Sequence, residues 1–356
     1  MKKIFYNIIA VGLLLLMCST SYAGNPDRQG EAGAYELLLN PWARSAGLHT
    51  MSTANIMGVE SMRLNVAGLS RINKTEVLLS NATYLQGTGI QMNAFGVAQR
   101  TGNGAFGLSL MALDFGDIPV TTEEQPEGTG STFSPTFFHI GLAYAHTFEN
   151  KVSVGILFRG ISETIANLSA FGFAIDAGVQ YVTGPQDNFK FGISLRNVGS
   201  RMEFGGEGLN VQRPSPSSIG NDELTFSQRA EDFELPSNLN IGLAYDFRIG
   251  TLHRLTVLGN FTANSFSQDQ FGGGVEYSLR ENFMIRAAYK YEVGSEDEIT
   301  GPIYTGLSAG ATLDVPLRKK KDDVEGDRAP KLGIDYAYRE TRIWGGTHNI
   351  SVRFSL

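Results

Sequence analysis

The chain has 356 residues, a length that fits either two soluble domains or one large closed sheet. With 42 glycines, 22 phenylalanines and 13 tyrosines against 18% charged residues, it is poor in charged helix formers and rich in turn and strand formers, so an all-β fold is expected and a helical bundle is not. The formal net charge of −7 is spread over many segments, which gives neither the basic surface that nucleic acid requires nor a polyacidic tail.

Residues 1–23, "MKKIFYNIIAVGLLLLMCSTSYA", carry Lys2 and Lys3, an apolar run from Ile8 to Met17, and the small residues Ser21 and Ala23. This is the pattern of a cleaved export signal. The run is too short for a membrane anchor, which needs about 20 predominantly apolar residues. The only cysteine, Cys18, follows bulky Met17 where a lipoprotein signal has a small residue, so lipidation is not expected and the exported chain carries no thiol. No later stretch is apolar enough for a transmembrane helix. An exported chain of this kind enters a membrane only as a closed barrel, because backbone groups in lipid are satisfied within helices or edge-free sheets.

Residues 24–75 show no alternation. Short apolar clusters mixed with Gly, Ser and Asn in "YELLLNPWARSAGLHTMSTANIMGVESMRLNVAGLSRI" predict compact turns and short helices. Upstream of a wide barrel, such a segment is expected to act as a plug, the alternative being a periplasmic tail.

From 76 to 356 one pattern recurs, roughly ten residues with apolar side chains at every second position and then a turn. In "NLNIGLAYDF", Leu239, Ile241, Leu243, Tyr245 and Phe247 share one face while Asn238, Asn240, Gly242, Ala244 and Asp246 share the other. Fourteen such segments can be counted. One, "GIQMNAFGVAQR", changes apolar parity near Ala94 and Phe95, which suggests a bulge. Tight connections alternate with longer ones, the fifth-to-sixth among the latter, as in transmembrane barrels of the outer membrane; "PLRKKKDDVEGDRA" violates the rule and reads as a solvated turn or a periplasmic docking site. A soluble sandwich would alternate too. A fourteen-strand cylinder, however, is too wide for a packed apolar core of its own. Its Asn, Asp, Arg, Lys and Gly face should therefore line the lumen, and its Leu, Ile, Phe and Tyr face should meet outer-membrane lipid. The final "NISVRFSL" alternates to the last residue, as a strand closing the cylinder would. The expected fold is thus an all-β transmembrane antiparallel β-barrel of about 14 strands with an N-terminal plug segment.

Catalytic motifs are weak. "GLSAG" at Gly306–Gly310 matches the G-x-S-x-G pattern, but Ser308 lies within an alternating segment rather than at a strand-to-helix turn. The five histidines have no ligand-like spacing, so no metal or cofactor is expected, and "GTGST" near Gly128 lacks the lysine and helix of a phosphate loop. Lumen-facing Asp176, Lys190, Arg196, Asp246, Arg286, Lys290, Glu292, Asp335 and Arg339 should pair with one another or with the plug, or line an ion path. The long loops near 116–134 and 200–236 combine acids with exposed Phe133 and Phe233, a composition suited to contact with a protein partner.

The run "ARSAGLHTMSTANIMGVESMRLNVAGLSRI" resembles the N-terminal region of the PorV/PorQ family, outer-membrane barrels of Bacteroidota related to the fatty-acid transporter FadL. In that family an Ala-Arg-x-x-Gly element is followed about twenty residues later by Asn-Pro-Ala-Gly-Leu; this chain carries Ala43, Arg44 and Gly47, then Asn65, Ala67, Gly68 and Leu69, with Val66 in place of the proline. The resemblance implies an outer-membrane, non-catalytic accessory component of the type IX protein secretion system. Its partners would be secreted proteins with a C-terminal signal domain or a large translocon barrel. The alternative is a FadL-like transporter of hydrophobic small molecules, for which an apolar pocket at the plug and an inward kink in the third strand are expected.

Overall fold

The computed structural model describes residues 25–149, 151–214, 223–294, 301–317 and 330–356; the export signal at 1–23 and the basic run at 318–329 lie outside them. The alternating segments form β1 (Thr75–Thr83), β2 (Gln91–Thr101), β3 (Gly104–Asp114), β4 (Thr136–Phe148), β5 (Val152–Ile165), β6 (Leu168–Thr183) and β7 (Phe189–Gly199). They continue as β8 (Asn238–Ile249), β9 (His253–Asn264), β10 (Gln270–Leu279), β11 (Phe283–Glu292), β12 (Tyr304–Pro316), β13 (Lys331–Thr341) and β14 (Thr347–Ser355). Each pairs antiparallel with its sequence neighbours and β14 pairs with β1, so the sheet is a closed fourteen-strand barrel. At the seam the register runs from Glu76↔Ser355 to Thr83↔His348, and Leu356 exchanges backbone hydrogen bonds with Thr75. The alternation up to the last residue therefore completes the closure.

Strand lengths of 9 to 16 residues meet the requirement of about 9–11 for a tilted strand to cross the hydrocarbon layer. The outward positions are apolar and bare, with Phe173 62%, Leu243 50% and Ile350 52% exposed, which a wall facing lipid permits and a wall facing water does not. The inward positions are occupied from within. Short helical turns at Tyr35–Leu38, Ala43–Ala46, Ser61–Leu64 and Val66–Arg71 form a hatch whose residues are largely buried.

The interior is not uniformly polar. On the side of β1 to β4 the hatch residues Trp42, Val59, Met62, Val66 and Leu69 pack against wall residues including Leu78, Met92, Ala98 and Met111 in one apolar cluster. The hatch supplies the half of the core that the wide barrel lacks. This also explains the parity change in β2: its pairing is unbroken, and Met92 and Ala94 are apolar because they face the hatch. Across the lumen, charge predominates. Lys190 meets Asp246 at 2.5 Å, Arg159 meets Asp176 at 2.5 Å, Arg286 meets Glu276 at 3.1 Å and Arg353 meets Asp314 at 2.6 Å.

One further expectation is corrected. The connection between β5 and β6 is a tight turn at 166–167, with Ala166 left-handed at φ 50°, because both strands run on past the segment that alternates. The long loops contain short ribbons of their own: Ile118–Pro119 pairs with Thr132–Phe133, and Asn210–Pro214 pairs with Glu223–Ser227.

Candidate functional site

The two sequence elements in the hatch hold it together and seat it on the wall. Asn65 donates to the Thr53 carbonyl at 2.9 Å and to the Val179 carbonyl of β6 at 3.1 Å, while its side-chain oxygen accepts from Ala67 N at the start of the Val66–Arg71 turn. Ala67 and Leu69 are fully buried. Gly68 has no room for a side chain, since a Cβ there would lie 2.2 Å from the Ile56 carbonyl oxygen. The wall meets this element with glycine as well: Gly155 of β5 and Gly178 of β6 face each other in register, and a Cβ on Gly155 would strike the Val66 backbone at 2.7 Å. Val66 thus lies directly on the wall.

The earlier element sits against the opposite wall. Ala43 N donates to Ser351 Oγ of β14 at 2.9 Å, and Gly47 packs on the aliphatic stem of Arg286 and on Gly310. Arg44 is 3.8 Å from Glu276. Beside it, Ser45 N donates to Glu60 at 2.9 Å; burial, and then the Asp335 carboxylate, raise the Glu60 pKa above the usual carboxylate range.

The two loop phenylalanines fall elsewhere. Phe233, expected to be exposed for a partner, is half-buried: it forms a β-bridge with Met202 and lays its ring over Gly33 of the hatch and beside Phe204. Glu234 next to it binds Arg28 and Arg201, tying hatch and loop together. Phe133, also expected to be exposed, is half-buried in the short ribbon opposite Ile118. The partners that cover the Phe233 ring are tertiary and local composition does not reveal them.

In the wall, β3 is continuous. Its register runs unbroken from Thr101↔Gly104 to Gln91↔Asp114 on one side and from Gly104↔His146 to Asp114↔Thr136 on the other, so the expected inward kink in the third strand is absent there. β6 and β7 shift register between Ile175 and Ala177, and the strands part between β11 and β12. Their pairing ends at Tyr289↔Leu307, and β12 then bulges against β13, with three residues (305–307) opposite Glu340. Gly306, at φ 97°, turns this bulge, and any side chain there would lie 2.1 Å from the Lys290 carbonyl oxygen. The first glycine of the G-x-S-x-G match is therefore a bulge residue, and Ser308 donates to the Gly47 carbonyl at 3.2 Å.

Above the bulge the strands part around a cavity of about 240 Å³ lined by Tyr289, Lys290, Tyr291, Glu292, Tyr304 and Arg342, with His49 of the hatch among the lining. His49 is buried, its ring stands edge-on to Tyr304 at 5.6 Å, and among the described residues neither of its ring nitrogens has a hydrogen-bond partner. Burial, and then the Lys290 and Arg339 cations, hold its pKa well below the ordinary value, so the imidazole is neutral. Sequence reading placed Lys290 and Glu292 in the lumen but had no signal for their meeting with His49, a residue some 240 positions away.

No protein-family model and no curated protein matches the sequence. Solved structures do match its fold. The monoaromatic hydrocarbon channel CymD aligns at TM-score 0.56 with 14% identity over 90% of this chain and 98% of that one. The Ralstonia pickettii toluene transporter TbuX aligns at 0.54 with 12% identity over 88% and 97%. A Pseudomonas aeruginosa FadL homologue aligns at 0.51 with 10% identity over 88% and 98%. The chain has the closed fourteen-strand fold of FadL-type outer-membrane barrels.

Proposed function

We propose that the protein is a passive, non-catalytic channel that admits small, largely apolar molecules across the outer membrane. The observation that carries this reading is the notch between β11 and β12, a break in the strand pairing of the described wall, whose lining includes a residue of the chain's own plug. The fold shared with hydrocarbon channels over nearly the whole chain supports it. In this scheme the hatch seals the lumen against water-soluble traffic, while solute passes between the plug and the parted strands into the hydrocarbon layer. Uptake of radiolabelled toluene by cells with and without the protein tests it: faster uptake with the protein is expected, and equal uptake refutes it.

A second reading, an accessory role in type IX secretion, draws on the sequence resemblance and is favoured by the unbroken third strand. Its test is affinity isolation from outer membranes. Recovery of secreted proteins sharing a C-terminal signal domain, or of a very large barrel, supports it; recovery of the barrel alone counts against it.

A further inference from the structure

We infer that the notch between β11 and β12 is a binding site for a small single-ring aromatic carboxylate, with the ring among Tyr289, Tyr291 and Tyr304 and the carboxylate toward His49 and Lys290. This rests on the channel reading and narrows its substrate class.

Size is the first argument. At about 240 Å³ the cavity is smaller than the roughly 300–1,000 Å³ of sites for drug-sized ligands, so it holds one ring and a substituent rather than a long chain. The lining is the second. Three tyrosines offer ring faces and edges to an aromatic guest, and the His49–Tyr304 contact already has the edge-on geometry such a guest would extend.

The polar groups decide the charge. Glu292, in the lining beside Lys290, accepts from Gln270 Nε2 at 2.7 Å and Thr305 donates to Glu340 at 2.7 Å, so both nearby carboxylates are hydrogen-bonded to neutral donors and keep their charge. Lys290 lines the cavity, and the Arg339 guanidinium lies 4.7 Å from the centre of the Tyr304 ring. The buried His49 imidazole, neutral for the reasons given above, keeps one N–H to donate. A neutral hydrocarbon in this cavity would leave that donor unsatisfied, whereas a carboxylate accepts from it and takes the adjacent positive charge.

The test uses the full-length barrel in detergent with 4-fluorobenzoate as probe, followed by fluorine NMR, and 4-fluorotoluene as its uncharged counterpart. The wild type is expected to bind the acid more tightly than the hydrocarbon. His49→Phe keeps a ring beside Tyr304 and removes the donor, and Lys290→Met removes the charge; each is expected to weaken fluorobenzoate binding about tenfold or more. His49→Asn, which tolerates the left-handed backbone at φ 49° and restores a donor, is expected to recover part of the affinity. Retained heat-modifiable gel mobility checks that each variant is folded. Equal binding of acid and hydrocarbon, or full affinity in both His49→Phe and Lys290→Met, overturns the assignment. Toluene uptake by cells separates the two readings: if uptake is intact and fluorobenzoate does not bind, the carboxylate site fails and the channel stands. If uptake is absent, the channel reading fails, and fluorobenzoate binding then decides whether the site survives as a binding site alone.

Discussion

Asn65→Ala probes what locks the hatch in the barrel. The substitution removes two donated hydrogen bonds, at 2.9 Å to Thr53 O and 3.1 Å to Val179 O, and a longer cap contact of 3.3 Å from Ala67 N. A neutral hydrogen bond contributes a net 0.5–1.5 kcal/mol, roughly, and stranding a buried partner costs about 1–3 kcal/mol. The Thr53 carbonyl keeps a second donor in Gln180 Nε2, so the loss lies toward the low end, about 2 kcal/mol in all. Since about 1.4 kcal/mol is a tenfold change, the fraction of time the hatch is locally displaced should rise roughly 30-fold. The exported chain carries no thiol, so Ser52→Cys reports on the hatch alone; Ser52 is buried and its hydroxyl has no hydrogen-bond partner among the described residues. The maleimide labelling rate at position 52 should increase by that factor in Asn65→Ala, with the thermal transition of the barrel unchanged. An unaltered labelling rate would show that the hatch is held by packing alone and that the Asn65 bonds do not lock it.

Gly192→Ala places a Cβ 2.4 Å from the Thr53 carbonyl oxygen, so the hatch must shift at a cost of about 1–3 kcal/mol, read as faster labelling at position 52. Arg286→Met strands part of the Glu276 carboxylate; because Arg254 at 3.3 Å and Arg44 at 3.8 Å remain, chemical denaturation should show a loss at or below the lower end of the roughly 3–5 kcal/mol typical of a broken buried pair. Val352→Arg puts a charge on the lipid face of β14 and should lower folding stability in lipid vesicles by about 2–4 kcal/mol, while Val352→Leu should be nearly neutral.

The strands were legible because a lipid-facing wall forces strict alternation, and "NLNIGLAYDF" shows it without exception. The number and direction of the strands follow from that alternation and from turn lengths. What remained hidden depends on what faces each inward residue. Gly242 and Gly192 read as part of a polar lumen face, yet they lie side by side in register as the seat for the Thr53–Ala54 backbone. Nothing in a single strand distinguishes a glycine that faces water from one that receives a second backbone. Met92 and Ala94 misled in the opposite sense, since an apolar inward residue looks like a register fault until the hatch is present to cover it. Phe233 shows the same limit in a loop, where its partner Gly33 is some 200 positions away. The notch escaped for a different reason: Gly306 was absorbed by a motif with another meaning, and a bulge is defined by the neighbouring strands rather than by its own sequence.

How the hatch is held bears on the route a solute can take. The hatch is cross-linked to itself: Arg63 donates to the Leu39 and Glu36 carbonyls, Ser45 N binds Glu60, Gly58 N donates to the Gly68 carbonyl, and Asn65 binds Thr53. It therefore moves as a body rather than unravelling from one end. Its bonds to the wall are distributed around the lumen, with Asn349 donating to the Asn40 and Pro41 carbonyls, Ser80 to Pro41, Gln180 to Thr53 and Ile56, Ser308 to Gly47 and Arg196 to Leu37. Expelling the hatch would break all of these together, at roughly 0.5–1.5 kcal/mol each, and would uncover the apolar cluster against β1 to β4 as well. A path through the β11–β12 notch requires none of this. It touches the hatch at the His49 turn, where the described wall offers the His49 ring no hydrogen bond. Energetically, passage beside a seated plug is favoured over passage through a vacated lumen.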